Sequence, residues 1–261
     1  MGLFDGMRIN QMGNKAYAAH ADANDLQRRG RVSEAAAKYD AAMELYREAY
    51  AAGCRKTEIM IAYSSLMMRF GMFTEARELM LEISKDKKMS ENAHFDLRVN
   101  YSICLWRLGI LDKAIDTIRY AGKHTKNGLY YSSLGSFLVD QAALTGDFAP
   151  AEELLREAME YDDEDAATLD NLGALSLAKS ERAGDASEAA GLRSEAIDYY
   201  ERARKARPSQ ITTLYALAKL YAADGRRDEA RELVDRAMIH LNSKVCPVSI
   251  EMLRELKASL A

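Results

Sequence analysis

Between Ile211 and Lys244 the apolar residues fall at helical spacing twice over. Leu214, Leu217, Ala218 and Tyr221 share one helical face, Ala222-Ala223-Asp224-Gly225 interrupts the pattern, and Ala230, Val234 and Ala237 form a second face. Two helices joined by a tight turn are implied. The rest of the chain reads as edited copies of this window. A turn glycine followed five residues later by alanine recurs at Gly30/Ala35, Gly71/Ala76, Gly109/Ala114, Gly146/Ala151, Gly191/Ala196 and Gly225/Ala230. Four residues past each alanine stand Tyr39, Met80, Ile118, Leu155, Tyr200 and Val234. Three beyond those come Ala42, Ile83, Ala121, Ala158, Ala203 and Ala237, which completes an i, i+4, i+7 stripe on each second helix. Each glycine is expected to take the positive φ that ends a first helix. Three residues after it, Ser33, Thr74, Asp112, Ser194 and Asp228 are expected to cap the second helix; the fourth copy has Ala149 there, followed by Pro150 at a first helical position.

With its L-G and proline spacings, this pattern resembles the tetratricopeptide repeat (TPR), a helix pair of about 34 residues. The intervals between the six glycines are 41, 38, 37, 45 and 34 residues, so only the last has the family's period. In the longest interval Leu172-Gly173 is spaced as the family's L-G pair and Pro208 closes the unit. The extra residues are placed around Glu181 to Gly191, as an extended helix end plus a polar loop. Ile9 to Arg29 reads as one long helix. Its Gly13-Asn14-Lys15-Ala16-Tyr17 resembles the start of TPR modules that clamp chaperone C-termini, although the turn at Gly30 comes thirteen residues after Tyr17. Pro247 to Leu260 carries Ile250, Leu253, Leu256 and Leu260 on one face, which suits a helix that covers the last apolar surface of a solenoid. The resemblance implies an all-α, right-handed superhelical α-solenoid of antiparallel helix pairs. It is expected as a single domain over 1–261, with units about 9–50, 57–90, 95–128, 130–165, 166–210 and 211–244 and a capping helix over 247–260.

Composition agrees with helix. The chain is 48% hydrophobic with only three prolines, and strong helix formers dominate. The formal charge of -4 argues against a general nucleic-acid binder. Charge is uneven: residues 1–131 hold 20 basic against 16 acidic side chains, residues 132–261 hold 16 against 24. Cys54, Cys104 and Cys246 are odd in number and lack CxxC spacing, so they read as reduced thiols. Met1-Gly2-Leu3-Phe4-Asp5 lacks the basic start of a signal peptide and the serine or threonine of a myristoylation motif, and no apolar run is long enough to cross a bilayer. A cytoplasmic protein with no membrane partner is expected.

The resemblance also implies which side chains line a concave groove. Carried over to this sequence, they include Tyr17, His20, Asn24, Gln27 and Arg28 from the first unit and Ser65, Met68 and Arg69 from the second. Asn100, Trp106 and Arg107 come from the third, Ser136 and Asp140 from the fourth, Asp170 and Asn171 from the fifth, and Thr212, Tyr215 and Lys219 from the sixth. Aromatic, basic and hydrogen-bonding groups together are the mixture a peptide groove uses. Catalysis finds little support. His20, His94, His124 and His240 are scattered, no Cys/His cluster has metal-ligand spacing, and no glycine-rich loop follows a strand. The acidic run Glu160–Asp165 lacks the glycine of a calcium loop, and the basic run Arg202–Arg207 sits where it complements a helix C-terminus. The expectation is a non-catalytic scaffold without cofactor or metal, binding a protein or peptide partner and no nucleic acid. The alternative is a protein that self-associates through solenoid ends or the capping helix, so an oligomer is possible but not required.

Overall fold

The computed structural model describes residues 3–260, with side chains from Asp5 onward. The Met1-Gly2 start, on which part of the targeting and acylation reading rests, lies outside the described residues, as does Ala261. Among the described residues every regular element is helical: α1 (Leu3–Arg28), α2 (Val32–Ala51), α3 (Thr57–Arg69), α4 (Phe73–Ile83), α5 (Glu91–Arg107), α6 (Leu111–Ala121), α7 (Gly128–Thr145), α8 (Ala149–Tyr161), α9 (Ala166–Ser180), α10 (Ala186–Ala206), α11 (Ile211–Ala223), α12 (Arg227–His240) and α13 (Ile250–Ser259). The first twelve form six consecutive pairs of an α-solenoid.

The alanine stripe explains the pairing. All eighteen residues of the i, i+4, i+7 pattern are buried, none more than 8% exposed. A methyl group at the first and usually the last position lets neighbouring helices approach closely, and the larger side chain between them fills the gap.

The turns are closed by backbone rather than by caps. Gly30, Gly71, Gly109, Gly146 and Gly225 take φ near +80°. After four of them, Arg31, Met72, Ile110 and Arg226 each donate a backbone N–H to the carbonyl five residues earlier, at 2.8–3.0 Å. This closure is so tight that the next helix begins two residues after the glycine. Ser33, Thr74, Asp112 and Asp228 are therefore second residues of their helices and not caps. Arg31 and Arg226 hold the cap positions of α2 and α12 instead, without a side-chain cap, and reach Glu34 and Glu229. Side-chain capping occurs mostly on first helices: Ser90, Asn127 and Asp165 accept from Ala93, Tyr130 and Thr168 N–H groups.

Gly191 also departs from expectation. It lies inside α10, exposed and without positive φ, and Ser194 lies inside the same helix. The extra residues of the fifth copy extend the second helix of the pair, not the end of the first. Asp185 caps α10 by accepting from the Glu188 N–H at 2.8 Å, and the alanine-rich start outweighs the roughly 1 kcal/mol that an exposed helical glycine costs.

The chain divides into two compact units. Unit 1 comprises Met1–Ile110 with Asn242–Val245, and unit 2 comprises Leu111–Leu241 with Cys246–Ala261. In unit 1, α1 packs on α2 and α3, and α3 and α4 pack on α5. Gly13 permits the approach of α1, since a Cβ there would stand 2.7 Å from the Cys54 sulfur and 2.9 Å from Ile59. Tyr46 is fully buried and stacks on Tyr63 at 5.1 Å. In unit 2, α7 packs on α6, α8 and α9, and α13 covers α12. Leu253 and Leu260 are buried there, Lys257 pairs with Asp235 at 2.5 Å, and Arg231 donates to the Leu260 carbonyl. The amphipathic tail thus caps its own unit.

Candidate functional site

In unit 1, Asn24 and Gln27, two of the side chains expected to line a groove, are linked to a third, Arg69, the last residue of α3. Its guanidinium lies 3.7 Å from the centre of the Tyr39 ring. Tyr39 is buried on α2 and donates its hydroxyl proton to Asn24 of α1 at 2.8 Å, which fixes the platform beneath the cation. Arg69 Nη2 donates to the Asn242 side-chain oxygen at 3.1 Å, whereas its Nε is buried with no hydrogen-bond partner. Asn242 in turn donates to the Gln27 side-chain oxygen. The Lys244 backbone N–H donates to the Arg69 carbonyl at 2.9 Å, and Val245 packs on the unit 1 core. Asn242–Val245 therefore lies as an irregular strap across the C-terminal ends of α1 and α3. Gly71 is needed there twice over: its φ is +82°, and a Cβ would come within 3.3 Å of the Lys244 side chain.

His20 sits beneath this surface. It is buried between Tyr39 and Tyr46, edge-on to both rings at 5.9 Å, with Nδ1 3.4 Å from the Tyr46 hydroxyl. Burial, seconded by the Arg69 charge, lowers its pKa to about 4, so the ring is neutral at pH 7. Burial also pushes the Arg69 pKa down and that of Tyr46 up. His20 is thus a packing and positioning group rather than an exposed groove side chain. Tyr17 is half exposed, and Arg28 is exposed with Asp25 at 3.5 Å. On α5, Arg107 lies 5.7 Å from the Trp106 ring and 5.6 Å from Phe73, and its Nε is also buried without a partner; Asn100 and Trp106 are half-buried.

Unit 2 treats the corresponding positions differently. Asn171 is buried and donates to the Ser132 carbonyl at 3.0 Å while accepting from Ser136 at 2.9 Å, which ties α9 to α7. Asp170 accepts from Thr212 at 2.8 Å and Thr213 at 2.5 Å, tying α9 to α11. Burial raises the Asp170 pKa against the opposing pull of those hydroxyls. Lys219 is exposed 5.8 Å from the Tyr215 ring, and Asp140 is exposed on α7. In this unit the polar groove residues largely bond helix to helix.

Sequence reasoning missed Tyr39 as the platform and Asn242–Val245 as a neighbour of Arg69. Tyr39 was legible only as a stripe residue of the second helix. The strap carried one faint signal, the break in helical periodicity between His240 and Pro247.

No helix among the described residues is long and apolar enough to cross a membrane. Comparison with curated proteins gives no match. Among solved structures, the human IFIT1 dimer with PPP-AAAA aligns at TM-score 0.58 and 15% identity, over 77% of this chain and 46% of that one. This chain thus spans about half the length of that neighbour. YrrB, described as a TPR protein with an unusual peptide-binding site, aligns at TM-score 0.41 and 16% identity over 82% and 97% of the two chains. The TPR2AB-domain:pHSP90-complex of yeast Sti1 aligns at 0.37 and 16% over 95% and 99%. Residues 183–241 match the family model for the tetratricopeptide repeat. Within and outside that segment, the six helix pairs carry the same buried stripe, so the fold throughout is similar to that of tetratricopeptide repeats.

Proposed function

We propose that the protein is a non-catalytic interaction scaffold whose unit 1 groove captures an extended segment of a partner protein. The observation that carries this reading is Arg69. Its guanidinium is held over the Tyr39 ring, with one N–H spent on a neutral amide oxygen and a buried Nε with no acceptor. A cation fixed in advance loses little freedom on binding, so its hydrogen bonds add affinity and orientation. Tyr17, Asn24, Arg28, Asn100, Trp106 and Arg107 extend the same surface with aromatic area and further donors. In unit 2, Asp140, Tyr215 and Lys219 are the positions proposed for partner contact, while Asp170 and Asn171 serve the scaffold. The formal charge of -4 over the whole chain weighs against a ligand such as IFIT1's PPP-AAAA.

A displayed library of random decapeptides tests the reading. Peptides selected on the full chain should lose at least tenfold in affinity on Trp106→Ala/Arg107→Ala or Arg69→Ala, with helical circular dichroism unchanged. Affinity indifferent to all three substitutions would sink the groove assignment, and so would selection of a 5′-triphosphate oligonucleotide in preference to any peptide.

A further inference from the structure

Asn242–Val245 engages unit 1 as a bound peptide would. One side-chain amide bridges Arg69 and Gln27, one backbone N–H two residues on meets the Arg69 carbonyl, and a partly buried aliphatic side chain then packs against the core. None of these bonds belongs to a helix or a repeat turn. The strap also satisfies its site incompletely. Asn242 offers a neutral oxygen to Nη2 alone, and the buried Nε beside it has no acceptor. A carboxylate would engage the Nε and Nη2 fork together, with charge-assisted bonds roughly twice as strong as neutral ones. The Gln27 amide can turn its NH2 toward the same group.

We infer that Asn242–Val245 is a tethered occupant of the recognition surface, and that the partner displacing it is an extended segment with an aspartate where the strap has Asn242. This rests on the groove reading above. The strap supplies a threshold: a partner gains the surface only by outcompeting a segment that is always present at high local concentration. Asn242, half-buried at the edge of the unit, can be altered without opening the core.

The test uses the full chain and two synthetic peptides spanning Ile239–Pro247 with Cys246→Ser, one retaining Asn242 and one with Asn242→Asp, followed by fluorescence anisotropy. Full-length Asn242→Ala should bind the aspartate peptide at least tenfold more tightly than the wild-type chain does. It should also prefer that peptide several-fold over the asparagine peptide. Adding Arg69→Ala should abolish both. Tryptic cleavage after Lys244 should run several-fold faster in Asn242→Ala than in the wild type. Equal cleavage and equal affinity in the two proteins would overturn the strap while leaving the groove reading intact, provided library peptides still bind. Equal affinity for the two peptides would overturn the acidic partner. If neither the synthetic nor the library peptides bind Asn242→Ala, the groove reading falls as well.

Discussion

Arg69 in unit 1 and Asn171 in unit 2 were both placed on the groove by repeat register, and the structure puts them to opposite uses. Asn171 lies well inside α9, is buried, and has its amide group bonded to Ser132 and Ser136 of α7. Arg69 closes α3, stacks on Tyr39 and keeps a donor without an acceptor. A buried amide with both ends bonded holds the scaffold together, because leaving either end unpaired is costly. A half-buried cation with a spare donor holds the scaffold weakly and has bonds to offer. Register alone therefore does not separate a side chain whose hydrogen bonds are saturated within the scaffold from one that keeps a donor without an acceptor.

Acid should separate the units most. His20 has a folded-state pKa of about 4, below its ordinary 6.5, so the unfolded chain takes up the proton first. Its contribution is complete above pH 6.5 and is lost as pH falls toward 4, on the order of 3 kcal/mol in all. Asp170 runs the other way: its raised pKa makes its contribution complete below the ordinary carboxylate pKa and lost as pH rises through the folded value. Hydrogen exchange at pH 7.5, 5.5 and 4 should show protection falling in α1–α3 before α9–α11. His20→Phe should remove that difference, and an unchanged pH slope in this variant would refute the assignment.

Next in size, Asn171→Ala should cost about 2 kcal/mol in denaturant unfolding, since it removes both hydrogen bonds that tie α9 to α7 in a closely packed interface. Gly135 sharpens the point, because a Cβ there would stand 2.5 Å from the Asn171 amide nitrogen. The smallest effect falls on Arg69→Ala. Loss of the stack and of one neutral hydrogen bond should cost only about 1 kcal/mol, even as peptide capture is lost. A cost for Arg69→Ala equal to that for Asn171→Ala would erase the contrast.

The glycine–alanine register alone located every second helix, because a positive φ and a methyl-sized contact are demands on single residues and are written one residue at a time. The same local logic read the amphipathic α13 correctly. It misjudged Gly191 because a glycine inside a helix and a glycine ending one look alike until the alternative cap, Asp185, is seen to be used. It misassigned Ser33, Thr74, Asp112 and Asp228 because the backbone bonds across the glycine turns start those second helices two residues early. Register assigns these residues expected positions but not roles. Whether Asn171 faces a neighbouring helix or a ligand depends on Ser132 and Ser136, more than thirty residues away. Whether Arg69 has company depends on Asn242, 173 residues further along. Helical periodicity fixes which face a side chain occupies, since that is a property of one segment. Which hydrogen bonds are already taken belongs to pairs of segments, and only the tertiary structure decides it.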